Sequence, residues 1–72
     1  MNFRYLLLYT DKDGSPEHYD NGTGLQKANG TGGPPDIGLI EQLNELGFQG
    51  WELSGTMPRE RGHILIFKQL AK

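Results

Sequence analysis

Apolar positions along this chain gather into three groups, separated by one long polar stretch. The first group, within Met1–Thr10, packs Phe3, Tyr5, Leu6, Leu7, Leu8 and Tyr9 into one short segment and predicts a strand. Its odd positions are all apolar or aromatic, and its even positions include Leu6 and Leu8. Alternate residues of a strand point to opposite faces, so both faces of this one carry apolar surface. The second group predicts a helix opened by Pro34-Pro35-Asp36 and closed by Gly47. Leu39, Leu43 and Leu46, joined by Ile40, form its apolar stripe, while Glu41, Gln42, Asn44 and Glu45 are expected to face water. Gly47 is read as the left-handed cap, with Phe48 folding back on the stripe.

The third group contains two strands. Trp51, Leu53, Gly55 and Met57 alternate with Glu52, Ser54 and Thr56, the pattern of a half-buried strand in which Trp51 anchors the core. Pro58–Gly62 is a polar turn of about five residues. His63–Leu70 follows as a strand whose Ile64-Leu65-Ile66-Phe67 is apolar on both sides.

Asp11–Pro35 differs in kind. It holds six of the eleven glycines, and its apolar content collapses. A connection this long is typically functional or disordered. Asn21-Gly22-Thr23-Gly24 recurs as Asn29-Gly30-Thr31-Gly32, and Asn-Gly is a strong type I′ turn signal. The segment is therefore read as a mobile polar loop, with a small hairpin as the alternative.

The order strand, loop, helix, strand, strand predicts a single α+β domain over residues 1–72 with 11–35 as an insertion. Its expected form is a β-α-β-β unit: a three-stranded antiparallel sheet with the last strand in the middle and one helix packed on one face. One helix covers only one face. The first and last strands are apolar on both, so a second covering element is required, and another subunit covers apolar surface better than a polar loop does.

Composition sharpens that need. A chain of 72 residues buries only roughly 60% of the surface its unfolded form exposes, so small domains usually carry a staple. There is no cysteine, and His18 and His63 are too few for a closed zinc site. Oligomerisation remains. The formal net charge of -2 disfavours a nucleic-acid footprint. Leu6-Leu7-Leu8 is too short for a signal peptide or a span, so no membrane association and a cytoplasmic location are expected.

Candidate chemistry is sparse. Asp11-Lys12-Asp13-Gly14-Ser15 resembles the start of a calcium loop, but glycine comes fourth rather than sixth and no glutamate closes it, so it reads as a surface turn. The glycine-rich path to a helix start suggests an anion site, yet Lys27 stands where the dinucleotide fingerprint needs its third glycine, and no Gly-Lys-Ser/Thr is present. Arg59, Arg61 and His63 alternate near the last hairpin and would form a small cationic patch on one side. With Asn21, Gly22, Asn29 and Gly30 they make up the candidate ligand-binding set for a nucleotide or other phosphate-bearing molecule. No catalytic constellation, metal site or cofactor motif accompanies them, so no enzymatic activity is expected.

Phe3-Arg4-Tyr5, Leu43-Asn44-Glu45-Leu46-Gly47, Gly50-Trp51-Glu52-Leu53 and Ile64-Leu65-Ile66-Phe67-Lys68 together resemble the small bacterial and phage domain-of-unknown-function family 4177. The resemblance spans about two thirds of the chain. It implies a fold and no reaction, and it supplies no catalytic residues. The departure lies at Asp11–Gly33, which is longer and richer in glycine than the family's usual connection. The functional expectation is a non-enzymatic module that self-associates, as a dimer or higher oligomer, through its open sheet face. The alternative is a small-ligand binder that uses the glycine-rich segment with Arg59, Arg61 and His63.

Overall fold

The computed structural model describes residues 2–28 and 35–71. It is α+β: β1 (Phe3–Asp11), β2 (Pro16–Asp20), β3 (Leu25–Lys27), α1 (Pro35–Phe48), β4 (Glu52–Arg59) and β5 (Gly62–Leu70). All strands pair antiparallel in one sheet of order β3-β2-β1-β5-β4. The C-terminal strand lies between the first strand and β4, as the sequence pattern requires. The sheet has five strands rather than three, because the glycine-rich stretch itself supplies β2 and β3.

Turn chemistry explains those extra strands. Asp11 Oδ1 accepts from the N–H groups of Asp13 and Ser15, both at 2.9 Å, and Gly14 N–H donates to the Asp11 carbonyl. Gly14 supplies the positive φ of +88° that a side-chain-bearing residue would resist. The calcium-like pentapeptide is thus a reversal that sends the chain back alongside β1. Asp20 repeats the device, with Oδ1 accepting from Gly22 N–H at 2.8 Å as β2 turns into β3.

The core lies between the sheet and one face of the helix. Leu6, Leu8, Ala28, Leu46 and Phe67 are buried, with Tyr19, Leu39, Leu43, Trp51 and Leu65 packed around them. The leucine stripe is therefore real, but its edges differ from the sequence expectation. Ile40 is exposed, whereas Gln42, expected in water, is buried. Gln42 lies three residues after Leu39 and four before Leu46, so helical spacing places it on the stripe and Ile40 at its margin.

The helix stop also moves. Gly47 remains helical, and the residue with positive φ is Gly50, at +88°. Trp51 N–H donates to the Leu46 carbonyl and Gly50 N–H to that of Gly47, both at 3.0 Å. These two bonds form a Schellman motif, whose usual apolar contact joins the third-last helical residue to the second residue past the cap. Here those residues are Leu46, in the buried cluster, and Trp51, packed against it. Trp51, not Phe48, folds back on the stripe, and Phe48 is left exposed.

β4 departs from simple alternation as well. Its register to β5 slips between Leu53 and Gly55, which leaves Ser54 as a bulge. Leu53 and Met57, both expected on one half-buried face, are exposed on different faces. The hairpin loop is only Glu60-Arg61, because Pro58 and Arg59 continue the strand.

The two glycines near the helix end should respond oppositely to alanine. Gly47→Ala, in a helical position with open space around its Cα, should raise stability by about 0.5–1 kcal/mol. Gly50→Ala should lower it by about 1–2 kcal/mol, the cost of a left-handed alanine. Urea unfolding of both variants checks this; the reverse order would place the cap at Gly47.

Candidate functional site

The side chains that α1 does not cover form the most extensive feature of the surface. Leu6 and Leu8 pair with Phe67 and Leu65 and face the helix, so their neighbours in sequence face away. The outward face presents Phe3, Tyr5, Leu7 and Tyr9 of β1 beside Leu70, Ile66 and Ile64 of β5. Met57 of β4 pairs with Ile64 and extends the apolar strip sideways. Phe3, Tyr5, Met57 and Leu70 are 43–56% exposed, too much for residues of this kind in a finished core.

Charge flanks this strip and also enters it once, at Lys68, which pairs with Tyr5 on the same face. Lys68 Nζ lies 5.1 Å from the Phe3 ring centroid and 3.5 Å from a Glu52 carboxylate oxygen. Arg59 Cζ lies 5.3 Å from the Tyr9 ring, and Arg59 Nη2 meets Glu17 Oε1 at 2.5 Å. These carboxylates and cations are partly solvated, so each ion pair contributes only about 0–1 kcal/mol. Their effect is to neutralise the flanks of an aromatic surface.

The cationic end expected from Arg59, Arg61 and His63 is assembled differently. Arg59 pairs with Gly62 across the turn and His63 pairs with Pro58, so Arg59 and His63 fall on opposite faces of the sheet. The two-residue turn, shorter than expected, sets this parity. Arg59 is also committed: its Nε and Nη2 donate to the Thr10 carbonyl at 3.2 and 2.9 Å. An open depression of about 660 Å³ does join Arg59 and Arg61, but with Asp11, Lys12, Asp13, Glu17 and Glu60. Four carboxylates against three cations make a poor anion site.

Asn21 and Gly22 sit in the β2–β3 turn, at the end of β2 away from Arg59. Asn21 Oδ1 accepts from Thr23 N–H and Thr23 Oγ1–H, which occupies it in shaping the turn. Asn29 and Gly30 lie outside the described residues. The described sequence candidates therefore divide between two ends of the sheet. In the sequence Tyr5, Leu7, Ile66 and Met57 stand out as strand residues but not as candidate site residues, and the two-faced apolar character of β1 and β5 is the signal for the face they share.

Among the described residues, no group of three or more histidines and carboxylates is placed to hold a metal ion. No described helix is long and apolar enough to cross a membrane. Compared with protein-family models, curated proteins and solved structures, the chain matches none. The family resemblance rests on the residues that carry it.

One backbone contact holds the Arg59 end together. A Cβ added to Gly62 would lie 1.9 Å from the Thr10 carbonyl oxygen, the same atom that Arg59 grips. Gly62→Ala should therefore force β5 off β1 at this end and cost about 3 kcal/mol or more. Chemical denaturation measures it, and a variant as stable as the parent would refute the close approach.

Proposed function

We propose that this domain is a non-enzymatic interaction module that self-associates through its open sheet face, with a two-fold dimer as the smallest closed form. The observation that carries this reading is the uncovered strip of Phe3, Tyr5, Leu7, Tyr9, Ile64, Ile66, Met57 and Leu70, opposite the only helix described.

Three physical features favour a second copy as the covering element. The first is size. Nine-residue strands make a face about 30 Å long, and three or four strands make it about 15–20 Å wide. Side-chain relief brings the accessible area to the order of the ~800 Å² that each partner contributes to a standard interface.

The second is charge. A two-fold axis lays the patch on itself, so a face of single sign would repel its copy. This face carries both signs, already paired as Arg59–Glu17 and Lys68–Glu52. The third is that the sheet edges are blunted: β3 has only three residues, and β4 carries a bulge and Pro58. Strand-to-strand addition at an edge is thereby disfavoured, and face-to-face packing at about 10 Å separation is the remaining mode.

The tyrosines of the patch, Tyr5 and Tyr9, suit an interface, since tyrosine is among the residues that contribute most of the binding energy in well-packed contacts. The resemblance to the unknown-function family agrees with this reading only in fold.

Sedimentation at micromolar concentration is expected to give twice the monomer mass. Tyr5→Lys combined with Met57→Lys, both at exposed positions, is expected to give a monomer with unchanged far-ultraviolet circular dichroism. A parent protein that sediments as a monomer at tens of micromolar would defeat the proposal.

A further inference from the structure

The Asn-Gly step between β2 and β3 carries more contacts than its turn requires. Asn21, Gly22 and Thr23 are exposed there, directly after the last residue of β2. Asp20 Oδ1 accepts from the N–H of Gly22 at 2.8 Å and from that of Gly24 at 3.4 Å. Asn21 Oδ1 accepts from Thr23 N–H at 3.2 Å and from the Thr23 hydroxyl at 2.7 Å. A backbone N–H only donates, so the Asn21 atom it meets is the amide oxygen, and the amide nitrogen points elsewhere. An Asx turn needs only that backbone bond. The hydroxyl is a second donor, and it is itself aimed. Gln26 Nε2 donates to Thr23 Oγ1 at 3.1 Å, while Gln26 Oε1 accepts from the Tyr19 hydroxyl at 2.8 Å. This chain of bonds turns the Thr23 proton toward the Asn21 carbonyl.

The arrangement fits a known weakness of the Asn-Gly step. The glycine nitrogen is one ring closure away from the asparagine amide carbon, and joining them makes a five-membered imide. Gly22 has no Cβ to obstruct the closure, and open space surrounds it. Two things slow the reaction: an amide nitrogen is a poor nucleophile, and negative charge builds on the attacked oxygen. Both are met here. The Asp20 carboxylate lies within hydrogen-bond reach of the proton that the Gly22 nitrogen must lose. Two donors already meet the oxygen on which the charge develops. The repeat Asn29-Gly30-Thr31-Gly32 is preceded by Ala28, so in sequence the carboxylate belongs to the first copy alone.

We propose that Asn21 is a self-modification site, converted to an aspartyl or isoaspartyl residue with Asp20 as the base and Thr23 as the donor to the oxyanion. The Gly22 nitrogen bonds to Asn21 Cγ and gives its proton to Asp20. The Cγ–Nδ2 bond then breaks, and the amide nitrogen takes up that proton and leaves as ammonia. Water opens the imide at either carbonyl, so the net change is one water consumed and one ammonia released. Both products carry a new negative charge beside Asp20, and the isoaspartyl one lengthens the backbone by a carbon. β3 pairs with β2 through only three residues, so the hairpin loosens as conversion proceeds. The turn lies outside the uncovered apolar strip and does not depend on self-association.

The test incubates the full chain at neutral pH, native and in urea, and follows the peptide containing position 21 by mass spectrometry, with chromatography separating the two products. Asn21 is expected to convert about tenfold faster in the native protein than in urea, a modest share of what a placed base or oxyanion donor supplies. Asp20→Ser keeps a turn-forming oxygen without the carboxylate, and Thr23→Val removes the hydroxyl. Each is expected to slow native conversion by about threefold or more. In the converted chain the Ala28 amide, which donates to the Glu17 carbonyl at 3.0 Å, is expected to exchange its hydrogen faster. Native conversion no faster than in urea would overturn the proposal, and this comparison uses the parent chain alone. Variants that convert as fast as the parent would overturn the roles of Asp20 and Thr23.

Discussion

The structure hangs on the ladder between its first and last strands. Phe3 pairs with Leu70 and Asp11 with Gly62, with unbroken register between them. This contact joins the two ends of the chain, and the other elements are placed relative to it. β2 and β3 extend the sheet from one side of the ladder and β4 from the other. The helix sits over the ladder because Leu6, Leu8, Leu65 and Phe67 present apolar surface there. Where β5 comes closest to β1, at Gly62, only a hydrogen fits in place of a side chain.

That ladder also creates the central imbalance of the molecule. Both of its strands are apolar on two faces, and a helix of fourteen residues, about 21 Å long and about 10 Å wide, covers one. The buried apolar set is small, as it must be in a chain that can bury little. The uncovered face holds more large apolar side chains than the covered one can spare. The proposed self-association is a way to complete the second layer that sheet architectures require. Flanking ion pairs and blunted edges favour the face over the edges for that proposed contact.

The helix side obeys different logic. There the Schellman motif swings Trp51 against Leu46 and fixes the direction in which β4 departs. The same geometry leaves a cavity beneath the last turn, with Gln42 in its wall. Much of the element order was legible in the sequence: the two-faced strands, the leucine stripe and the central position of the C-terminal strand all follow from periodicity. The open face was legible too, as an excess of apolar residues over available cover. Gln42 was not read as buried because its polarity was weighed above its position on the stripe. The cationic patch dissolved because one turn of two residues, not five, put Arg59 and His63 on opposite faces.

Sequence by itself determined what each segment could be. Alternation of apolar residues made β1 and β5 strands, spacing of leucines made α1 a helix, and a shortage of covering elements left one sheet face bare among the described residues. Tertiary structure decided what those segments became. Asp11 and Asp20 could act as turn-formers anywhere; only the availability of β1 as a pairing partner turned the glycine-rich stretch into strands. Gly47 and Gly50 were both competent caps, and the choice fell to Gly50 because that placement lets Trp51 reach the core. Local propensity ranks such alternatives within about 1 kcal/mol, whereas burial of a large side chain is worth about 1.5–3 kcal/mol. Packing therefore chose between options that the sequence left open.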